Sequence, residues 1–110
     1  MKDVAAYIFT SGTTGLPKAA LVDHAKLVKG SFAGHFLCFN FKTKDRLYMT
    51  LPLYHSTGLV LGWAASLRAG CANIIKPKFS ASEFWSDVKK YKANKFIYVG
   101  ELCRYLMNLP

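Results

Sequence analysis

Tyr7-Ile8-Phe9-Thr10-Ser11-Gly12-Thr13-Thr14-Gly15-Leu16-Pro17-Lys18 is the stretch from which the rest of the chain can be read. A short apolar run feeds a loop with hydroxyls at Thr10, Ser11, Thr13 and Thr14, glycines at 12 and 15, a proline and one lysine. Glycines let backbone N–H groups come close to a ligand, and hydroxyls add donors that polyanions accept. Lys18 supplies a compact positive charge at the far end. An ordinary turn would explain a glycine pair alone. Hydroxyls, glycines, proline and lysine together suit a triphosphate or pyrophosphate.

The spacing differs from the mononucleotide P-loop, which has four residues between its glycines and a lysine directly after the second. Here Leu16 and Pro17 intervene before Lys18, and Pro17 biases Leu16 away from helix. The cradle is therefore expected from loop amides and hydroxyls, not from a helix dipole.

Outward from the loop, strands alternate with helices. Val4–Thr10 is continuously apolar, β-branched and aromatic, the pattern of a strand buried on both faces. Residues 19–22 resume an extended piece, and Asp23 can cap a helix from about His24 to Leu37. Ala25, Val28, Phe32, Ala33, Phe36 and Leu37 would be its buried stripe. Gly30 and Gly34 weaken it, unless they serve close packing. Residues 40–45 read as a polar surface connection and Arg46–Thr50 as a strand, which Pro52 ends.

Pro52 throws Tyr54 and His55 into a loop, and Ser56 or Thr57 can cap the next helix. That helix would bury Leu59, Val60, Trp63, Ala64 and Leu67 and stop at Gly70. Cys71–Ile75 is a strand; Ser80 and Glu83 have capping-box spacing before a helix burying Phe84, Trp85, Val88 and Tyr91. Phe96–Val99 is the last strand, and Glu101–Leu109 a helix with Leu102, Cys103, Leu106 and Met107 inward. The expected fold class is α/β: repeated β-α crossover units forming a mostly parallel sheet flanked by helices. Ligands collect beyond the carboxyl ends of such strands, so Thr10–Lys18, Tyr54–Ser56 and Gly100–Glu101 should share one sheet edge.

The 110 residues fit one domain or part of one, and 52% hydrophobic content allows a packed core. A net charge of +9 admits nucleic acid, an anionic membrane or small phosphate-bearing ligands as partners. Aromatics at core spacing argue against a nucleic-acid module, and a solvated helix face accounts for Lys89, Lys90, Lys92 and Lys95. Cys38, Cys71 and Cys103 are odd in number and widely spaced, so buried reduced thiols in an intracellular protein are expected. No Cys or His spacing nominates a metal site. The most apolar segment, residues 58–67, is broken by Arg68, short of the roughly 20 residues of a membrane helix. Met1-Lys2-Asp3 carries no signal-peptide pattern.

Thr10 to Lys18 resembles the phosphate-binding signature of the AMP-forming adenylate ligases, the acyl-CoA synthetase and luciferase superfamily. Leu51-Pro52-Leu53-Tyr54-His55-Ser56 is similar to its second motif, whose aromatic residue and histidine border the acyl pocket. Lys78–Trp85 and Tyr98–Leu106 resemble stretches of one branch, the fatty acid transport proteins and very long-chain acyl-CoA synthetases.

The resemblance, from about Val4 to Pro110, implies an internal part of the AMP-binding (adenylation) domain of an ATP-dependent fatty acyl-CoA ligase. Thr10, Ser11, Gly12, Thr13, Thr14, Gly15 and Lys18 would grip ATP phosphates, with Mg²⁺ neutralising charge and CoA as co-substrate. His55 would orient the carboxylate, and Tyr54, Tyr98, Gly100 and Glu101 would join it in the acyl pocket. A carboxylic acid is ionised at neutral pH and needs no base to attack.

The superfamily's adenine, ribose and metal-binding residues and its lid lysine would lie beyond Pro110, leaving these residues inactive alone. The parent is expected at a membrane of the endoplasmic reticulum, cell surface or peroxisome. Fatty acid uptake without catalysis is the alternative.

Overall fold

The computed structural model describes residues 2–12 and 15–109. β1 (Val4–Thr10) pairs antiparallel with β2 (Lys18–Asp23), Ile8 opposite Ala20 and Thr10 opposite Lys18. The loop 11–17 is shorter than the dozen or so residues of a parallel crossover, which forces the antiparallel return. This ribbon is a two-stranded sheet of its own. Of β1 only Ile8 is buried, while Tyr7 and Phe9 are each 61% exposed. The strand expected to be buried on both faces is thus half of a ribbon packed on α1 (His24–Ala33).

The parallel sheet has three strands. β3 (Arg46–Met49) lies between β4 (Ala72–Ile75) and β5 (Lys95–Ile97), with Tyr48 level with Ile74 and Phe96. Successive strand residues face opposite ways, and each face finds its own helices. Leu47, Met49 and Ile97 pack with Phe41, Cys71 and Ala65, the last from α2 (Ala65–Ala69). On the other face the Tyr48 ring meets Phe84 of α3 (Ala81–Tyr91) edge-on at 5.4 Å and Phe96 at 6.0 Å. Helices on both faces of a parallel sheet make the α/β layering expected from the alternating pattern. α4 (Gly100–Met107) follows β5.

Helix boundaries are legible in the sequence, and the faces are not. Asp23 caps α1, its Oδ1 accepting the Lys26 N–H at 2.6 Å. The helix continues as a π-helical segment, Gly34–Phe39, ended by Asn40 at φ 47°. Its large apolar residues are not the buried ones: Val28, Phe32, Phe36 and Leu37 are exposed, and Ser31 and Gly34 are buried. A Cβ at Gly30 would stand 2.3 Å from Val60 Cγ1, and one at Gly34 would stand 2.9 Å from the Leu61 carbonyl oxygen. The small residues are therefore the contact face, and the large ones turn away from it.

The same holds across that contact. The π-helical segment Thr57–Ala64 runs into α2, and Gly58, Gly62, Ala65 and Ser66 are buried while Leu67 is exposed. Neither expected hydroxyl cap forms at Ser56, and Gly70 ends α2 at φ 71°. α3 starts where expected but without the capping box. Glu83 reaches Lys76 Nζ at 3.4 Å instead, and the Ser80 hydroxyl pairs with Ser82. Phe84 and Asp87 are buried in α3 and Trp85 is exposed; in α4 Met107 is exposed.

Two buried carboxylates tie the layers together. Tyr48 donates to Asp87 Oδ2 at 2.8 Å, and Lys76 Nζ lies 2.8 Å from the same oxygen. Burial, then the Asp87 carboxylate, pushes the Tyr48 hydroxyl up to about 12. In the connection expected at the surface, Phe41 and Asp45 are buried. Asp45 accepts the Lys42 N–H and the Asn94 side-chain amide, each at 2.8 Å, and these bonds hold its carboxyl below its usual value. All three cysteines are free, Cys71 buried and Cys38, contrary to expectation, exposed.

Candidate functional site

The hydroxyl- and glycine-rich loop between β1 and β2 is pinned at its base. Thr10 ends β1 and Lys18 begins β2, and the Thr10 hydroxyl donates to the Lys18 carbonyl at 3.3 Å. Ser11, Gly15, Leu16 and Lys18 are exposed. Gly15 has φ 122°, a conformation that side chains rarely adopt, so glycine is needed there. A Cβ at Gly12 would meet the Leu16 carbonyl oxygen at an ordinary 3.7 Å, so this glycine is not demanded by its own backbone. Thr13 and Thr14 lie outside the described residues. Lys18 makes no ion pair among the described residues, which leaves its ammonium available to an anion.

The second constellation is built at the carboxyl ends of β3 and β5, neighbours in the sheet. After β3 the chain turns at Pro52, whose carbonyl accepts the His55 N–H at 3.2 Å. The His55 carbonyl then accepts the Leu59 N–H at 2.9 Å and launches the π-helical segment. Leu51, Pro52, His55, Ser56, Thr57 and Gly58 line a cavity of about 420 Å³ together with Val99, which lies between β5 and α4. Its wall is mostly apolar with one imidazole and two hydroxyls, a setting for an apolar ligand with one polar end. Tyr54 is exposed beside it, its ring centroid 4.6 Å from that of His55.

The other pocket candidates are placed differently. Tyr98 stacks on Phe96 at 5.6 Å, on the α3 side of the sheet. Gly100 opens α4 with nothing near its absent side chain, and Glu101 pairs with Arg104 on the surface. Val99, not singled out from the sequence, is the residue of that stretch that reaches the cavity. The available signal was alternation along the strand expected over Phe96–Val99, which sets Val99 opposite Tyr98, although β5 itself ends at Ile97. The Thr10–Lys18 loop belongs to the separate ribbon, so the three segments do not share one sheet edge; His55 and Val99 do come together.

His35 shares a hydrogen bond with the Phe41 carbonyl at 3.0 Å and stacks on Phe36; His24 is exposed. A cavity of about 460 Å³ beside α3 is lined by Lys76, Pro77, Lys78, Ser80 and Glu83. Lys76 is already committed there: its bond to Asp87 raises its own pKa and lowers that of Asp87. Among the described residues no three His, Cys, Asp or Glu side chains gather to hold a metal. No described helix is long and apolar enough to cross a membrane.

The family described as AMP-binding enzyme matches residues 1–110. The chain belongs to that family. Long-chain fatty acid transport protein 6 of Mus musculus is 49% identical over 110 residues, covering all of this chain and 17% of that protein. Among solved structures, ATP-bound MatB from Rhodopseudomonas palustris is 30% identical and superposes with a TM-score of 0.88, over 99% of this chain and 21% of MatB. The o-succinylbenzoate CoA synthetase MenE of Bacillus subtilis, solved with its acyl-adenylate intermediate, has a TM-score of 0.87 at 23% identity, over 28% of its length. That likeness speaks for the fold alone. The AMP-binding chain thus spans about a sixth of the length of the curated relatives it matches.

Proposed function

We propose that this chain supplies the phosphate grip and part of the acid pocket of an ATP-dependent fatty acyl-CoA ligase. The observation carrying the reading is the mostly apolar cavity that His55 and Val99 share, in an AMP-binding chain about half identical to long-chain fatty acid transport proteins. An ionised fatty acid would lie with its tail along the Val99 side and its carboxylate near His55, which orients it and abstracts no proton. A carboxylate oxygen attacks the α-phosphorus of ATP; the new O–P bond makes acyl-AMP as the bond to pyrophosphate breaks. The CoA thiolate then takes the acyl carbon and releases AMP.

Thr10, Ser11, Gly12, Thr13, Thr14, Gly15 and Lys18 hold the departing pyrophosphate, whose charge grows as the bond breaks. The exposed loop with Lys18 at its base fits that task. The described residues offer no ligand set for Mg²⁺, which on this reading arrives with the phosphates of ATP. Tyr54 stays at the margin of the pocket beside His55 and Val99 joins its wall, while Tyr98, Gly100 and Glu101 lie away from its lining. Spanning about a sixth of its relatives' length, the 110-residue chain alone should make no acyl-CoA. The parent ligase would work at a membrane that supplies its acid.

The relatives' name favours one other reading, fatty acid transport without catalysis. Pyrophosphate exchange into ATP, run on the full-length protein with a panel of fatty acids, separates them. Exchange that depends on long acids and is lost in Lys18→Ala supports the ligase. No exchange with any acid, or uptake untouched by Lys18→Ala and Thr13→Ala, supports transport.

A further inference from the structure

We infer that Gly58 is a positioning residue for His55: having no side chain, it leaves the Pro52 carbonyl where it can hold the His55 N–H and keep that residue on the cavity wall. The inference rests on the reading of His55 as the group that orients the acid. Gly58 is buried at the start of the π-helical segment and is not among the glycines with positive φ, so its backbone would suit any residue. Space is what excludes one. A Cβ there would stand 2.4 Å from the Pro52 oxygen, 3.1 Å from the Pro52 carbonyl carbon and 3.2 Å from the Leu51 oxygen. All three are backbone atoms, so no side chain can swing aside to make room.

The atom it would strike is the one that matters. The Pro52 oxygen accepts the His55 N–H at 3.2 Å, already at the long end for such a bond. Moving that oxygen from 2.4 Å to at least 3.0 Å from a new methyl group displaces half of this hydrogen bond. Ser56 makes no capping bond that could hold the turn in its place. Pro52, His55 and Gly58 all line the same cavity, so a shift of the turn is a shift of its wall. Gly34 is a matched control: a Cβ there would also meet backbone, at 2.9 Å, but at a helix contact that does not line the cavity.

Gly58→Ala, His55→Ala, their combination and Gly34→Ala are made in the full-length ligase. KM for the acid, KM for ATP, kcat and Tm are measured for each. A misplacement of about 1 Å can cost on the order of a hundredfold in rate. Gly58→Ala should raise the KM for acid roughly tenfold or more and leave that for ATP within about twofold. In the His55→Ala background it should add less than about twofold, because residues that act through one another are not additive. An equal rise in acid KM from Gly34→Ala, or a full Gly58 effect without His55, would mean general destabilisation and overturn the inference. Should Gly58→Ala not fold, Pro52→Ala frees the backbone that carries the same carbonyl. It should raise the acid KM only while His55 is present, and an unchanged acid KM would count against the inference. If His55→Ala itself leaves acid activation untouched, the role given to His55 fails first.

Discussion

Replacing Gly34 with alanine sets two effects of known size against each other. Gly34 has helical φ and ψ of −58° and −46°, so alanine should favour the helix by about 1 kcal/mol. Against this, the new Cβ would stand 2.8 Å from Ala65 Cβ, 2.9 Å from the Leu61 oxygen and 3.1 Å from Leu61 Cα. Overpacking costs about 1–3 kcal/mol, and contact with backbone puts this site at the upper end. The net loss is then about 2 kcal/mol. For a domain of this size each kcal/mol moves Tm by about 4–8 °C, so Tm should fall by roughly 8–16 °C. Gly100→Ala is the internal comparison. It opens α4 with nothing within 4 Å of its Cβ, so the propensity gain stands alone and Tm should rise a few degrees. Thermal unfolding of both variants by far-UV circular dichroism decides it. A Gly34→Ala protein as stable as Gly100→Ala would refute the backbone-to-backbone contact between the two helices.

On the proposed reading Lys18→Gln removes a charge-assisted bond to phosphate, worth about 1.5–3 kcal/mol, and should lower kcat/KM for ATP about ten- to hundredfold in the full-length protein, with Tm unchanged. Asp45 and Asp87 have depressed folded pKa values, so their stabilisation is complete above the ordinary aspartate range and is lost as pH falls through the lowered values. The urea midpoint should therefore drop steeply on acidification, and more shallowly in Asp87→Asn. Lys76 is raised by Asp87, so its share is present below its ordinary value and is lost only when pH climbs through the raised one. Cys38 is exposed, whereas Cys71 is buried and its thiol is pushed up by desolvation. A thiol reagent should label Cys38 within the folded protein and Cys71 only on unfolding; mass spectrometry reads which. Ile97→Ala opens the core beneath Met49 and should cost about 2–5 kcal/mol in chemical denaturation.

Periodicity and punctuation carried the elements: Asp23 as a cap and Gly70 as a helix stop sit where their chemistry places them, while β3 ends at Met49, three residues before Pro52. Burial was harder to read, because hydropathy assumes that large apolar residues face the core. In the two central helices close approach wins. Gly30, Gly34, Gly58 and Gly62 are spaced four apart within each helix and face inward, which turns Phe32 and Phe36 out. The β1 run misled for a related reason: an apolar strand has the same composition in a central sheet as in a ribbon, and only the short loop 11–17 distinguishes them. His55 was legible as a strand-end residue. Val99 was not, since a valine carries no chemical signal and its place in the cavity lining, between β5 and α4, shows only in the fold.

The proposed attack of a fatty acid carboxylate on the α-phosphorus would leave an atomic trace. Palmitate labelled with ¹⁸O in both carboxylate oxygens, turned over with ATP and CoA by the full-length protein, should leave one ¹⁸O in the AMP released and none in pyrophosphate. Acyl-CoA formed with unlabelled AMP, or label in the phosphate products, would contradict adenylation at this site.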